Sequence, residues 1–215
     1  MKKILAIYKA KGPTSHDVVD KLRRITGIKK IGHAGTLDPL ATGVLVVGIG
    51  REATKQLDTI VKSEKEYLAT IKFGEESTTD DEEGEKRTIE FAAKPKREKI
   101  EQALREFIGI IDQVPPQYSA VKVKGRSAYK YARQGQKIEL AAKQVEIKSI
   151  ELIAYQWPIL KLKVVTGKGV YIRSLGRDLG QKLGCGGYLA DLERTRVGEY
   201  SKERSLTLEQ FEKNR

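Results

Sequence analysis

One cysteine, Cys185, occurs in 215 residues. That excludes an internal disulfide and suits a reducing cytoplasm. Cys185 lies in Gly184-Cys185-Gly186-Gly187 with no base beside it, so it reads as a small turn residue rather than a nucleophile. The chain has two histidines, His16 and His33, and no Cys or His pairs at zinc-ligand spacing, so no metal is expected. A Walker loop and a dinucleotide fingerprint are also missing, and no cofactor is expected. No apolar run approaches the length of a membrane span. The opening Met1-Lys2-Lys3-Ile4-Leu5-Ala6-Ile7-Tyr8 is too short for a signal peptide and reads as a first strand. Acidic residues are the scarcer sign, 29 against 41 Lys and Arg, for a net charge of +12. Such an excess points to a polyanionic partner, either nucleic acid or an anionic surface.

The length and an apolar content of 39% suit one globular domain with room for an inserted subdomain. The chain is organised around Gly32-His33-Ala34-Gly35-Thr36-Leu37-Asp38-Pro39-Leu40-Ala41-Thr42-Gly43, followed by Val44-Leu45-Val46-Val47-Gly48-Ile49-Gly50. The first part, rich in Gly, Thr and Pro, predicts an irregular loop. The second, short and β-branched, predicts a buried strand. A loop on a rigid strand is a common seat for chemistry, and this one carries Asp38 and His33. Taken alone, Asp38 reads first as a residue that satisfies turn N–H groups, and His33 as an ordinary hydrogen-bonded loop histidine.

Around this loop the pattern is regular. Thr14 and Asp17 have capping-box spacing for a helix with Val18, Val19, Leu22 and Ile25 on one face and Gly27 as its stop. Its basic flank, Lys21, Arg23, Arg24, Lys29 and Lys30, is either a solvated face or a phosphate contact. Residues 51–62 predict a second helix with Ala53, Leu57, Ile60 and Val61 inward, and 65–73 a strand with Tyr67, Ala69, Ile71 and Phe73 on one face. Residues 74–87 are acidic and aperiodic, without EF-hand order, and predict a mobile solvated loop. A helix with Ile100, Ala103, Leu104, Phe107 and Ile108 inward and Gly109 as its stop follows Pro95.

From Val114 to Lys143 seven basic residues (Lys122, Lys124, Arg126, Lys130, Arg133, Lys137, Lys143) face one acid, Glu139, with Tyr118, Tyr129 and Tyr131 interleaved. Cations for phosphates and aromatics for bases make a nucleic-acid contact segment; packed tyrosines in a solvated loop are the alternative. Strands over 145–155 and 159–166 flank Gln156-Trp157-Pro158, where Trp157 packs. A helix then carries Ile172, Leu175, Leu179 and Leu183 inward. Tyr171 and Arg173 lie near its first turn, where a cation does not help the dipole and implies a partner. Tyr188 to Leu192 reads as a strand, and Thr207 with Gln210 opens a last short helix.

The twelve residues from Gly32 to Gly43 resemble the signature loop of the TruB family of tRNA pseudouridine synthases. Gly12-Pro13-Thr14-Ser15-His16-Asp17, Lys65-x-Tyr67, Tyr118-Ser119-Ala120-Val121-Lys122 and Tyr171-Ile172-Arg173 resemble further motifs of that family. Ala10 and Glu193 depart from it, standing where members usually carry proline and a basic residue. The resemblance implies an α+β pseudouridine synthase fold: a mixed, mainly antiparallel sheet flanked by helices, with residues 114–143 as a thumb-like RNA-gripping insertion. Many bacterial members continue into a small C-terminal RNA-binding domain, and nothing in this sequence corresponds to it.

The implied reaction detaches the base of uridine 55 in the T-arm loop of tRNA, rotates it and rejoins it through C5. By the same resemblance Asp38 is the catalytic residue, attacking C1′ or removing the 2′ proton. Tyr67 stacks on the flipped base, Leu192 closes the pocket, and Tyr171 and Arg173 support Asp38, Arg173 favouring its ionised form. His33 fills the space the base vacates. Lys122, Lys124, Arg126, Lys130, Arg133, Arg194 and Arg196 are expected RNA contacts. The expected partner is tRNA, met by a cytoplasmic monomer with no membrane or metal. A tRNA-folding chaperone with secondary catalysis is the alternative; a metallohydrolase would need clustered ligands that the sequence lacks.

Overall fold

The alternation of apolar runs with Gly, Pro and Asp punctuation is realised as thirteen strands and six α-helices among the described residues. A computed structural model describes residues 3–123 and 125–214. In chain order they form β1 (Lys3–Lys9), α1 (Ser15–Thr26), β2 (Ile31–His33), β3 (Thr42–Ile49), α2 (Arg51–Val61), β4 (Lys65–Phe73), β5 (Glu75–Ser77) and β6 (Lys86–Thr88). Next come α3 (Arg97–Arg105), β7 (Gly109–Gln113), β8 (Lys122–Val123), β9 (Arg126–Ser127), α4 (Ala128–Ala132) and β10 (Lys143–Gln156). The last are β11 (Ile159–Thr166), α5 (Ile172–Leu183), β12 (Gly187–Val197), β13 (Tyr200–Ser201) and α6 (Leu208–Lys213). The main sheet has the strand order β1-β3-β12-β4-β11-β10-β7, with β2 on β3 and β13 on β12. It is mixed and mainly antiparallel, as expected; β12 runs parallel to β3. Two compact units are distinguished: Met1–Leu68, Val165–Lys168 and Leu192–Arg215 in the first, Ala69–Val164 and Gly169–Asp191 in the second.

In the first unit, β3 is buried from Gly43 to Ile49, which is why its sequence is continuously apolar rather than alternating. β1 pairs antiparallel with it from Lys3↔Ile49 to Lys9↔Gly43, and β2 adds Ile31↔Ile49 to His33↔Val47. Ala6, Ala34, Val44, Val46, Leu57 and Val197 form one core cluster. The α1 capping box forms in both directions: the Thr14 N–H donates to Asp17 Oδ2 at 2.8 Å and the Asp17 N–H to Thr14 Oγ1 at 3.1 Å. Gly27 closes the helix at φ 71°. In α2, Ala53 and Leu57 are buried but Val61 is 38% exposed, contrary to its expected inward position. Residues four apart drift by about 40° around a helix, which carries this third residue of the row to the stripe's edge.

In the second unit, β10 pairs with β7 from Lys143↔Gln113 to Ile147↔Gly109. Trp157 packs between Phe73 and Phe91, with ring centroids 6.2 and 4.9 Å away. Helix α3 buries Ile100, Ala103 and Leu104 but stops at Arg105, leaving Ile108 44% exposed instead of inward. The N–H groups of Phe107 and Ile108 bond three residues back, tightening the chain ahead of Gly109. The acidic segment overturns the expectation of a mobile solvated loop. It is an ordered hairpin, β5 against β6 with Glu75↔Thr88 to Ser77↔Lys86, and Asp81 at its tip is 2% exposed. Asp80 and Asp81 find arginines on α5, far along the chain, and local composition carries no sign of that.

Candidate active site

The loop between β2 and β3 is held through its main chain. Ala34, Leu37, Leu40 and Ala41 are buried and seat it, while Asp38 is half-buried. The Ala34 N–H donates to Val46 O at 2.8 Å and the Ala41 N–H to Asp38 O at 3.0 Å. Ser15, the first residue of α1, accepts from the Leu37 N–H at 2.8 Å and donates to the Leu37 carbonyl at 3.0 Å. The buried Lys9 ammonium donates to Ala10 O, Pro13 O and Pro39 O at 2.9, 2.7 and 3.3 Å. Arg194 on β12 donates from Nη2 to Gly35 O at 3.0 Å, from Nη1 to Thr36 O at 3.4 Å and from Nε to Val44 O at 2.8 Å.

Other expected site residues of this unit flank the loop. Leu192 precedes the parallel register Glu193↔Thr42, and the Thr42 hydroxyl donates to Leu192 O at 3.4 Å. Tyr67 and Leu192 are both buried. His33 meets His16 edge-on at 5.7 Å, and its Nδ1 is buried without a hydrogen-bond partner. Burial pushes the His33 imidazole below its ordinary 6.5, and the charges of His16 and Arg194 act in the same direction. The ring is therefore neutral at pH 7. Glu193 accepts from the Tyr8 hydroxyl at 2.7 Å and pairs with Lys202 at 2.6 Å. Arg196 pairs with Glu64 at 2.7 Å.

In the second unit, Arg173 lies in the first turn of α5, buried. Its Nη2 donates to Tyr118 O at 2.9 Å, and its Nη1 to Thr79 O at 3.3 Å and Asp81 Oδ2 at 3.4 Å. Asp81 also accepts from the Thr79 hydroxyl and from the Glu83 N–H. One turn on, Arg177 pairs with Asp80 at 2.7 Å. Burial raises the Asp80 carboxyl, and Arg177 opposes that shift. Tyr171 caps α5, its peptide gripped by Gln113: its N–H donates to Oε1 at 2.8 Å and its carbonyl accepts from Nε2 at 3.1 Å. In the insertion, Arg126 lies over the Tyr131 ring at 5.0 Å and Arg133 over Tyr129 at 5.6 Å. Lys122 and Lys130 are exposed; Lys124 lies outside the described residues.

Residues 23–172 match the TruB family pseudouridylate synthase N-terminal domain. The chain belongs to the TruB family. Residues 173–215 match the tRNA pseudouridylate synthase B C-terminal domain. The tRNA pseudouridine synthase B of Thermobifida fusca is 44% identical, over 97% of this chain and 73% of its own. That of Parabacteroides distasonis is 45% identical, over 93% and 87%. Among solved structures, a Cbf5-Nop10-Gar1 complex contains a chain that matches 98% of this one at 29% identity with a TM-score of 0.77. This chain spans 53% of that longer chain.

Seen as a TruB-family site, one expected residue changes its role. Arg194, expected to contact RNA, is 2% exposed, and its guanidinium is directed at loop carbonyls. A side chain so enclosed does not reach phosphate. In the first unit Ser15 and Lys9 hold the main chain around the Asp38 loop, and in the second Gln113 holds Tyr171 and Asp81 holds Arg173; none of the four was expected in these roles. Ser15 and Asp81 carried only local signals, a helix start and an acidic run.

Proposed function

We propose that the protein converts uridine 55 in the T-arm loop of tRNA to pseudouridine, with Asp38 as the reacting acid. The observation that carries this reading is the half-buried Asp38 side chain on a loop whose main chain is fixed on both sides. That is the presentation an acid needs to meet a sugar carbon or a 2′ proton from solvent. Extruding the base costs a few kcal/mol. The neutral His33 ring is suited to fill the gap in the RNA stack, since a charged imidazolium would have to be desolvated there. Tyr67 stacks on the uracil and Leu192 lies against it. Within the second unit Arg173 is held by Asp81 and by the Thr79 and Tyr118 carbonyls. Lys122, Arg126, Lys130, Arg133 and Arg196 contact the RNA backbone, in a monomeric cytoplasmic enzyme.

The test is a pseudouridine map of tRNA treated with the parent and with Asp38→Asn. The variant is expected to leave uridine 55 unconverted while binding the same tRNA with an affinity within about two-fold of the parent, the T-stem phosphates being untouched. Turnover by Asp38→Asn would remove Asp38 from the mechanism. Conversion confined to other sites would remove the T-arm assignment alone.

A further inference from the structure

We infer that Ser15 and Arg194 form a two-sided clamp that positions the Asp38 carboxylate for reaction, an inference that rests on Asp38 being the reacting acid. Both side chains are buried, at 1% and 2% exposure, and both turn their polar atoms onto the main chain of the Asp38 loop. Ser15 Oγ takes both the N–H and the carbonyl of Leu37, so the peptide unit running into Asp38 has lost its freedom to rotate. Arg194 acts on the two arms of the loop. Its Nη1 and Nη2 hold the carbonyls of Thr36 and Gly35 on the incoming arm, and Nε holds Val44 O where the outgoing arm enters β3. A planar guanidinium fixes the angle between such acceptors, which an ammonium on a flexible stem does not.

The backbone around Arg194 is equally close. A Cβ at Gly43 would collide with the Arg194 carbonyl oxygen, and Gly43 has φ 107°. Only glycine allows the outgoing arm this approach. The apolar anchors Leu37 and Leu40 already keep the loop down, but burial has no direction. Hydrogen bonds to specific carbonyls supply the orientation, and a misplacement of about 1 Å at a reacting group costs roughly 100-fold in rate. Ser15 and Arg194 are thus positioning residues that touch the loop and act through Asp38.

The experiment measures the single-turnover rate of pseudouridine formation in tRNA, the Kd for the same tRNA at several salt concentrations, and thermal unfolding. The proteins are the parent, Ser15→Ala, Arg194→Lys and Asp38→Asn. We expect the bound-state rate to fall about 10-fold in Ser15→Ala and about 100-fold in Arg194→Lys. Kd and its salt slope should stay at the parental values, because no phosphate contact is lost. A purely structural role would lower the unfolding temperature and leave the rate of the folded, RNA-bound enzyme unchanged, and that result overturns the clamp. So does an Arg194→Lys variant with weaker binding, a flatter salt slope and a parental rate, which would make Arg194 a phosphate contact. Should Arg194→Lys not fold, Ser15→Ala decides alone, and a parental rate there overturns the proposal. Turnover by Asp38→Asn would sink the underlying assignment. An inactive Asp38→Asn beside clamp variants at parental rate would sink only the clamp.

Discussion

Lys65 shows how burial alters a single group in this site. It lies on β4 two residues before Tyr67, and its ammonium donates to the Val61 and Ser63 carbonyls, both at 2.6 Å, at the end of α2. Desolvation, with the Arg194 charge adding to it, pulls its pKa from 10.5 to about 8. The folded protein therefore holds this proton less tightly than the unfolded chain. Between about pH 8 and 10.5 the unfolded state binds more protons, so Lys65 contributes stability that grows as pH rises through that window and is absent below it. A carbon-detected NMR titration of the lysine side chains should show one resonance with a midpoint near 8, and Lys65→Met should remove it. If every lysine titrates near its ordinary value, the ammonium is better solvated than its position indicates.

The acidic hairpin β5–β6 is the element whose character differs most from its composition. Seven carboxylates in one short stretch (Glu75, Glu76, Asp80, Asp81, Glu82, Glu83, Glu85) repel one another and predict disorder. Two of them at the tip meet a pair of arginines one turn apart on α5, Arg173 on Asp81 and Arg177 on Asp80, while Glu75 pairs with Lys72 and Glu76 with Arg87. Residues four apart share a helix face, so one hairpin tip meets both. Removing one member of a buried ion pair strands the other charge, at a cost of about 3–5 kcal/mol. Asp81→Ala should thus lower the urea midpoint substantially, whereas Glu85→Ala, at an exposed position, should change stability by less than about 0.5 kcal/mol. Equal effects of the two would show that the Arg173–Asp81 pair does not hold the hairpin tip. The insertion's helix α4 behaves differently. Its tyrosines are seats for Arg126 and Arg133, whose guanidinium groups lie over the Tyr131 and Tyr129 rings.

At the scale of the molecule, the +12 net charge makes RNA affinity fall steeply with salt, as each phosphate neutralised releases counterions. Replacing Arg126, Lys130 and Arg133 together by Ala should flatten the slope of log Kd against log salt by about 0.7–0.9 per cation that meets a phosphate. The bound-state rate should change far less than the affinity. An unchanged slope would place the RNA elsewhere on the basic surface.

Much was determined by the amino-acid sequence itself: the two capping boxes, Gly27 as a stop, the continuously buried β3, the alternation of β4 and the Asp38 loop. These are short-range properties, set by backbone sterics and by the period at which apolar residues recur. Tertiary structure alone decided that Arg194 turns inward to the loop, that Ser15 grips Leu37, and that Asp81 is buried against Arg173. A charged side chain reads as exposed until a partner remote in sequence supplies the hydrogen bonds that offset its desolvation, and only the folded chain brings that partner within reach.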